Sequence, residues 1–286
     1  MVTASTLLGV AVDGLAFGVV LALLGVSITL VFGLGEVLNL AIGIFAVLAV
    51  LAARTAINSG VGLAVGVVVG LVFIGFVGFV VDRTLLRFVY RSTGEDRILL
   101  GIFITLGLAV LFEGVLINYF PAQYGLSLGV EPISFGTVVL TGSSLAVIAL
   151  GGVALIALLV FLRRTFLGKA TRTIFQDERG AQLVGVNLRR IRTFIFVLSA
   201  AVAGFAGLIH ATGSTVSVST GFEFTTFALI VSIVGGVRSI IGAIAAGLVL
   251  GMVSQFANFF VGSYVATIIL FVTAIVALFA KPEVLS

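Results

Sequence analysis

The sequence predicts an all-α, polytopic integral membrane protein with about eight to nine transmembrane helices, and three observations carry that reading. Of 286 residues, 61% are hydrophobic and 9% are charged, against ~25% charged in soluble domains. Apolar runs such as Val61–Val81 and Leu145–Leu162 are long enough to cross a bilayer core of ~30 Å. Their residues do not alternate apolar with polar as a barrel strand would, and lipid admits only helices and closed barrels because these pair every backbone N–H and C=O group.

Nine apolar segments follow one another near 10–32, 38–57, 61–82, 98–118, 142–162, 193–212, 223–237, 239–259 and 263–280. Basic residues concentrate in Arg83–Arg97 and Arg163–Arg192, which the positive-inside rule places in the cytoplasm. Alternation from there puts the N-terminus and Tyr119–Leu140 outside and the C-terminus inside, in a multi-pass protein of the cell membrane. The pI near 10 is accounted for by these loops, so the lipid bilayer is an expected partner and nucleic acid is not. Met1–Val12 lacks the basic region of a signal peptide, so the first span is expected to remain. Residues 1–286 read as a single transmembrane domain.

Two segments are interrupted. Phe222–Gly236 is short and ends in Gly235-Gly236, with the next segment opening at Arg238; the stretch Gly33 to Asn39 breaks another apolar run. Unwound backbone at membrane depth is tolerated only beside protein or water, which makes such breaks pointers to a transport path. A tight cytoplasmic turn is the alternative at each. Glycine is 36 of the residues, nearly twice the usual ~7%. Gly62, Gly66 and Gly70, and likewise Gly247 and Gly251, recur at four-residue spacing, which lets helices approach closely.

Catalytic sets are missing from the sequence. It has no cysteine and one histidine, His210, and no zinc-protease or phosphate-loop motif. His210 reads as a hydrogen-bonded interfacial residue. No cofactor or metal is expected, and the chain carries no energy source of its own. Glu113, near the outer end of its span, lines a path or reaches outer water. Glu36 and Asn39 gate a path or cap the following helix. Arg238 meets lipid phosphate or a partner, and Glu223 sits at the outer surface. Asn118, Gln255 and Asn258 are polar groups that packed helices can satisfy between them.

The long basic loop is not a plain tether. Ile174, Phe175, Ala181, Leu183, Val184 and Val186 are interleaved with Asp177, Glu178 and Arg179. Residues 170–184 fit an amphipathic helix with Gly185 as its C-terminal cap, lying on lipid or docking in a partner's groove.

Residues 168–207, GKATRTIFQDERGAQLVGVNLRRIRTFIFVLSAAVAGFAG, resemble the coupling loop and following helix of branched-chain amino-acid ABC transporter permeases of the LivH type. Residues 228–251 are similar to a second block of that family through Gly235-Gly236, Ser239, Gly242, Gly247 and Gly251. Residues 14–53 resemble a further block through Gly14, Gly18, Ala22, Leu23, Gly33, Asn39, Leu40, Ala41 and Gly43, and Ile104-Thr105-Leu106-Gly107 fits a weaker one. The resemblance implies a permease subunit of an ATP-driven importer for branched-chain or related amino acids. It implies a second permease subunit, related or identical, two cytoplasmic ABC ATPase subunits and an extracytoplasmic solute-binding protein. It makes Arg172, Asp177, Glu178, Ala181, Gly185 and Asn187 the ATPase-coupling residues, with the loop's apolar side chains in the ATPase groove. It adds Gly43 to Glu36, Asn39, Glu113, Gly235 and Gly236 on the candidate translocation path. Ile42 and Ile44 stand where the family has histidine and glutamate, Arg238 where it has glycine, and Ile241 where it has proline. A stand-alone secondary transporter or channel for a small polar solute is the other reading. It would need buried acids for ion coupling, and Glu36 and Glu113 are the main candidates.

Overall fold

The computed structural model describes residues 4–92, 94–127, 129, 131–135, 138–176, 178–183 and 185–280. Each of the nine apolar segments falls on a helix. These are α1 (Ala4–Gly35), α2 (Ile42–Asn58), α3 (Leu63–Val81), α5 (Glu95–Tyr119), α6 (Gly142–Arg164), α9 (Leu188–His210), α10 (Thr220–Gly235), α11 (Ile240–Val261) and α12 (Ser263–Ala280). A π-helical turn, Asp82–Leu86, and one helical turn, α4 (Arg87–Val89), prolong α3. A short antiparallel hairpin, β1 (Ile133–Phe135) with β2 (Val138–Leu140), lies in the connection before α6. Among the described residues six helices are long and apolar enough to cross a membrane; α2, α10 and the apolar part of α12 are shorter.

α2 is the centre of the bundle. Ile42 to Leu51 and Ala53 are all buried, and α3, α9 and α10 close around it. The close approaches are made at small residues. A Cβ on Gly70 would meet the Ala49 carbonyl at 2.5 Å, and one on Gly207 the Ala46 carbonyl at 2.6 Å. Gly62, the first of the spaced glycines, faces open space instead. The second expected glycine face is the α1–α11 seam: Gly247 sits on the Ala22 backbone and Gly251 on that of Gly18. These pairings run the two helices antiparallel. Hydroxyls add bonds between helices, as at Thr29–Ser232 (3.0 Å) and from Ser199 to the Ser27 carbonyl (2.8 Å).

Both basic clusters gather at one end. Thr193, in the first turns of α9, donates to Asp82 Oδ2 at 2.6 Å, and the Arg192 guanidinium lies 4.9 Å over the Tyr90 ring. Asp82, buried at this end, thereby has the positive charges of Arg83, Arg189 and Arg192 around it.

Candidate functional site

The break after α1 is not a simple turn. α1 stops at Gly35, and Glu36 takes the left-handed backbone (φ 52°) that non-glycine residues rarely adopt. Residues 36–41 then climb back into the bundle before α2 begins. The climb is measured by α5: a Cβ on Gly101 would touch Val37, and Thr105 meets Leu38 and Leu40. Thr105 lies ten residues along α5, ~15 Å above its start. α2 is therefore a helix whose N-terminus opens at depth.

Hydroxyls from two neighbouring helices hold this unwound stretch. Thr105 Oγ1 accepts the Leu40 N–H at 3.0 Å and lies 3.1 Å from the Leu38 carbonyl. Thr225 Oγ1, on α10, accepts the Gly43 N–H at 3.1 Å and lies 3.2 Å from the Leu40 carbonyl. Asn39 is 1% exposed; its Oδ1 accepts the Ala41 N–H at 3.0 Å, while its buried Nδ2 has no hydrogen-bond partner among the described residues. Asn39 thus closes a local turn just before α2 and does not cap the helix, whose N-cap position is Ala41. Gly43 has no room for a side chain: a Cβ there would land on the Gly221 carbonyl oxygen.

Beside the break, α5 and α10 leave an apolar groove of about 150 Å³. Leu40, Ile44, Val110, Thr225 and Thr226 line it together with Glu113. Of the six candidate path residues, only Glu113 lines the groove itself; Asn39 and Gly43 lie behind it in the packed break. Glu36 is elsewhere, at the basic end, where Arg238 Nη2 meets its carboxylate at 3.0 Å. So Arg238 is engaged by a carboxylate of its own chain, a partner different from those expected from sequence. Both side chains are well exposed, 56% and 41%, so the pair's worth is ~0–1 kcal/mol. At Gly235-Gly236 the tight-turn alternative is what is seen. Gly236 adopts φ 93°, the Ser239 N–H returns to the Gly236 carbonyl at 2.7 Å, and Ser239 caps α11 through the Gly242 N–H at 3.1 Å.

The long basic loop is helical in two pieces, α7 (Phe166–Gln176) and α8 (Glu178–Leu183). α7 starts four residues earlier than the periodicity suggested because Thr165 caps it, accepting the Gly168 N–H at 3.0 Å. The end is as expected. The N–H groups of Gly185 and Val186 return to Gln182 and Ala181, and Gly185 has φ 84°. The expectation for the apolar face needs correction. Ala170, Ile174 and Ala181 are buried in this chain's own core with Leu162, Leu188 and Ile191, so they do not fill a partner's groove. Ala181 is 0% exposed. Arg172 faces outward and donates to the Arg163 carbonyl at 3.3 Å, and Asn187 caps α9 through the Arg190 N–H at 3.1 Å. Phe166, 80% exposed, and Leu183, 89% exposed, are large apolar residues that this element turns to solvent. Asp177 lies outside the described residues, and Glu178 is described in its backbone alone.

A helical membrane bundle broken at depth beside a groove, with a docked amphipathic element at one end, is the build of a solute permease. Residues 10–278 match the family model described as "Branched-chain amino acid transport system / permease component", and the chain belongs to that family. It is similar to the "High-affinity branched-chain amino acid transport system permease protein LivH" of Salmonella typhimurium and of Escherichia coli. Each is 24% identical over 291 residues, covering 94% of this chain and 92% of the relative. The protein BraD of Pseudomonas aeruginosa, of the same description, is 22% identical over 284 residues, 95% of this chain and 92% of its own. Among solved structures, PsaBC from Streptococcus pneumoniae in complex with Fab shares the fold with a TM-score of 0.51 at 12% identity, over 93% of this chain and 90% of that one.

Proposed function

We propose that this chain is the permease subunit of an ATP-driven importer for branched-chain or related amino acids. It works as a single transmembrane domain with a second permease subunit, related or identical, two ABC ATPase subunits and an extracytoplasmic solute-binding protein. The observation that carries the reading is the α7–α8 element. It is helical, capped at both ends and seated on the bundle core, so a push on it moves α6 and α9 rather than bending a loose loop. With the basic end inside, the N-terminus faces out and the C-terminus is cytoplasmic. ATP-driven closure of the ATPase pair presses on Leu183, Arg172, Asp177 and Glu178, and the bundle rocks between inward- and outward-open states. The groove supports the solute class: its apolar walls suit an aliphatic side chain, and the Glu113 carboxylate suits an α-ammonium.

The test is made in membranes carrying the whole importer. Replacing Asp177 and Glu178 together by lysine is expected to abolish ATP-dependent leucine uptake while leaving the chain inserted at its usual level. Leu183→Glu is expected to reduce ATPase co-purification at least tenfold, since ~1.4 kcal/mol at the contact is a factor of ten. Unchanged uptake and co-purification in both variants would place the contact elsewhere.

A further inference from the structure

At the end of the bundle opposite the basic loops lies a second and larger cavity, about 460 Å³, within the range of small-molecule pockets. Its walls come from Asp13 and Phe17 of α1, Ser144 of α6, His210 of α9, and Gln255 and Asn258 of α11, with Thr267 of α12 closing the side. Five helices thus bring their polar residues to one place in a chain with few such residues to place. Had each merely been satisfied by a neighbouring helix, the space between them would have closed; instead it is open.

The charge in this cavity has one sign. Asp13 is the lone carboxylate among the lining residues, and no lysine or arginine lines it. Ser144 donates to Asp13 Oδ1 at 2.6 Å, which fixes the carboxylate and leaves Oδ2 to accept from a ligand. The amide oxygens of Gln255 and Asn258 and the hydroxyl of Thr267 are further acceptors. Phe17 offers an aromatic ring on the same wall, held by edge contact with Phe227 at 5.9 Å, and ring faces attract cations. An anion would find no side-chain cation among the lining residues.

We propose that this cavity is a binding site for a primary ammonium group, with Asp13 as counter-ion. The ammonium belongs either to a free amino acid or amine, or to a phosphatidylethanolamine headgroup. The site is distinct from the Glu113 groove and does not depend on the transport role proposed above.

The chain has no cysteine, so one reporter can be introduced without removing others. Ser254→Cys, which lines the cavity, is placed in the full chain in phosphatidylcholine vesicles, whose surface carries no net charge; Ser263→Cys, also on the lining, is the second reporter, and lipid-facing Val249→Cys is the control. Cationic thiosulfonate reagent is expected to label the cavity reporters about thirtyfold faster than the anionic reagent, since a carboxylate a few ångströms away in water attracts the one and repels the other. Adding Asp13→Asn is expected to abolish that preference, and Val249→Cys to label with neither. Leucine and isopentylamine are expected to slow labelling, and 4-methylpentanoate, which lacks the ammonium, to leave it unchanged. Protection by these solutes assigns the site to a free ammonium compound. Protection only in vesicles containing phosphatidylethanolamine assigns it to the headgroup. Equal rates for the two reagents, no protection from either source, or equal protection by 4-methylpentanoate would overturn the proposal.

Discussion

Gly43→Ala is expected to cost the protein its stable fold. The added methyl would fall on the Gly221 carbonyl oxygen and within 2.7 Å of the Thr225 backbone nitrogen. Neither partner is a side chain that can rotate away. Relief requires α2 to move off α10, which also stretches the Gly43 N–H to Thr225 Oγ1 bond of 3.1 Å. Overpacking of this kind costs ~1–3 kcal/mol, and a buried donor left without its acceptor ~1–3 kcal/mol more. Purified in detergent, the variant should lose its monodisperse peak after heating at a temperature well below that of the parent, and leucine uptake by the assembled importer should fall with it. Gly107→Ala and Gly114→Ala are the controls. Both glycines are within α5 and a Cβ at either meets nothing within 4 Å. Helix propensity favours alanine there by ~0.8–1.0 kcal/mol, so these two should match or exceed the parent. Equal behaviour of all three variants would show that the α2–α10 contact does not limit stability.

Thr105→Val and Thr225→Val are expected to unpin residues 36–41. Valine keeps the shape and removes the oxygen. The first change leaves the Leu40 N–H without its acceptor and the second does the same to Gly43. Each loss costs ~1–3 kcal/mol. Because the two hydroxyls hold one short segment, the double variant should depart from additivity by ~0.5 kcal/mol or more. The serine variants, which keep the oxygen, should restore both melting and uptake. Thr226→Val provides a contrast, since its hydroxyl bonds the Phe222 carbonyl of its own helix at 2.9 Å. A valine variant at 105 or 225 as stable as the parent would mean that water or another group takes over the freed N–H.

Much of the architecture could be read from the sequence because hydrocarbon leaves the backbone so few choices. Apolar runs had to be helices, and every one is. The gathering of the Arg83–Arg97 and Arg163–Arg192 clusters at one end followed from charge alone. Gly185 could be read as a helix end because its conformation suits glycine. What escaped was anything that depends on which helices meet. Thr105 and Thr225 sit 65 and 182 positions from the backbone groups they hold. Read singly, a threonine in an apolar helix is expected to bond its own preceding turn, as both also do. Asp13, Gln255 and Asn258 look like scattered polar residues until the α1–α11 seam and α12 bring them to one cavity. In the basic loop, periodicity showed that Ile174 and Ala181 share a face; it could not say that the chain's own core would cover that face. At the two glycine breaks, composition left a turn and a re-entrant stretch equally open. Packing decided differently at each.

The contrast between α2 and α5 has a consequence for sequence variation. Around α2 nearly every position from Ile42 to Leu51 touches another part of the protein, so an exchange of one aliphatic residue for another changes a fitted volume. On α5, Leu99, Phe103, Leu111 and Ile117 are exposed, and any side chain of comparable oiliness serves. A saturation library selected for uptake should therefore yield an almost invariant α2 and a freely drifting outer stripe on α5. A drifting stripe with fixed positions inside it would mark where another subunit, rather than lipid, is touching.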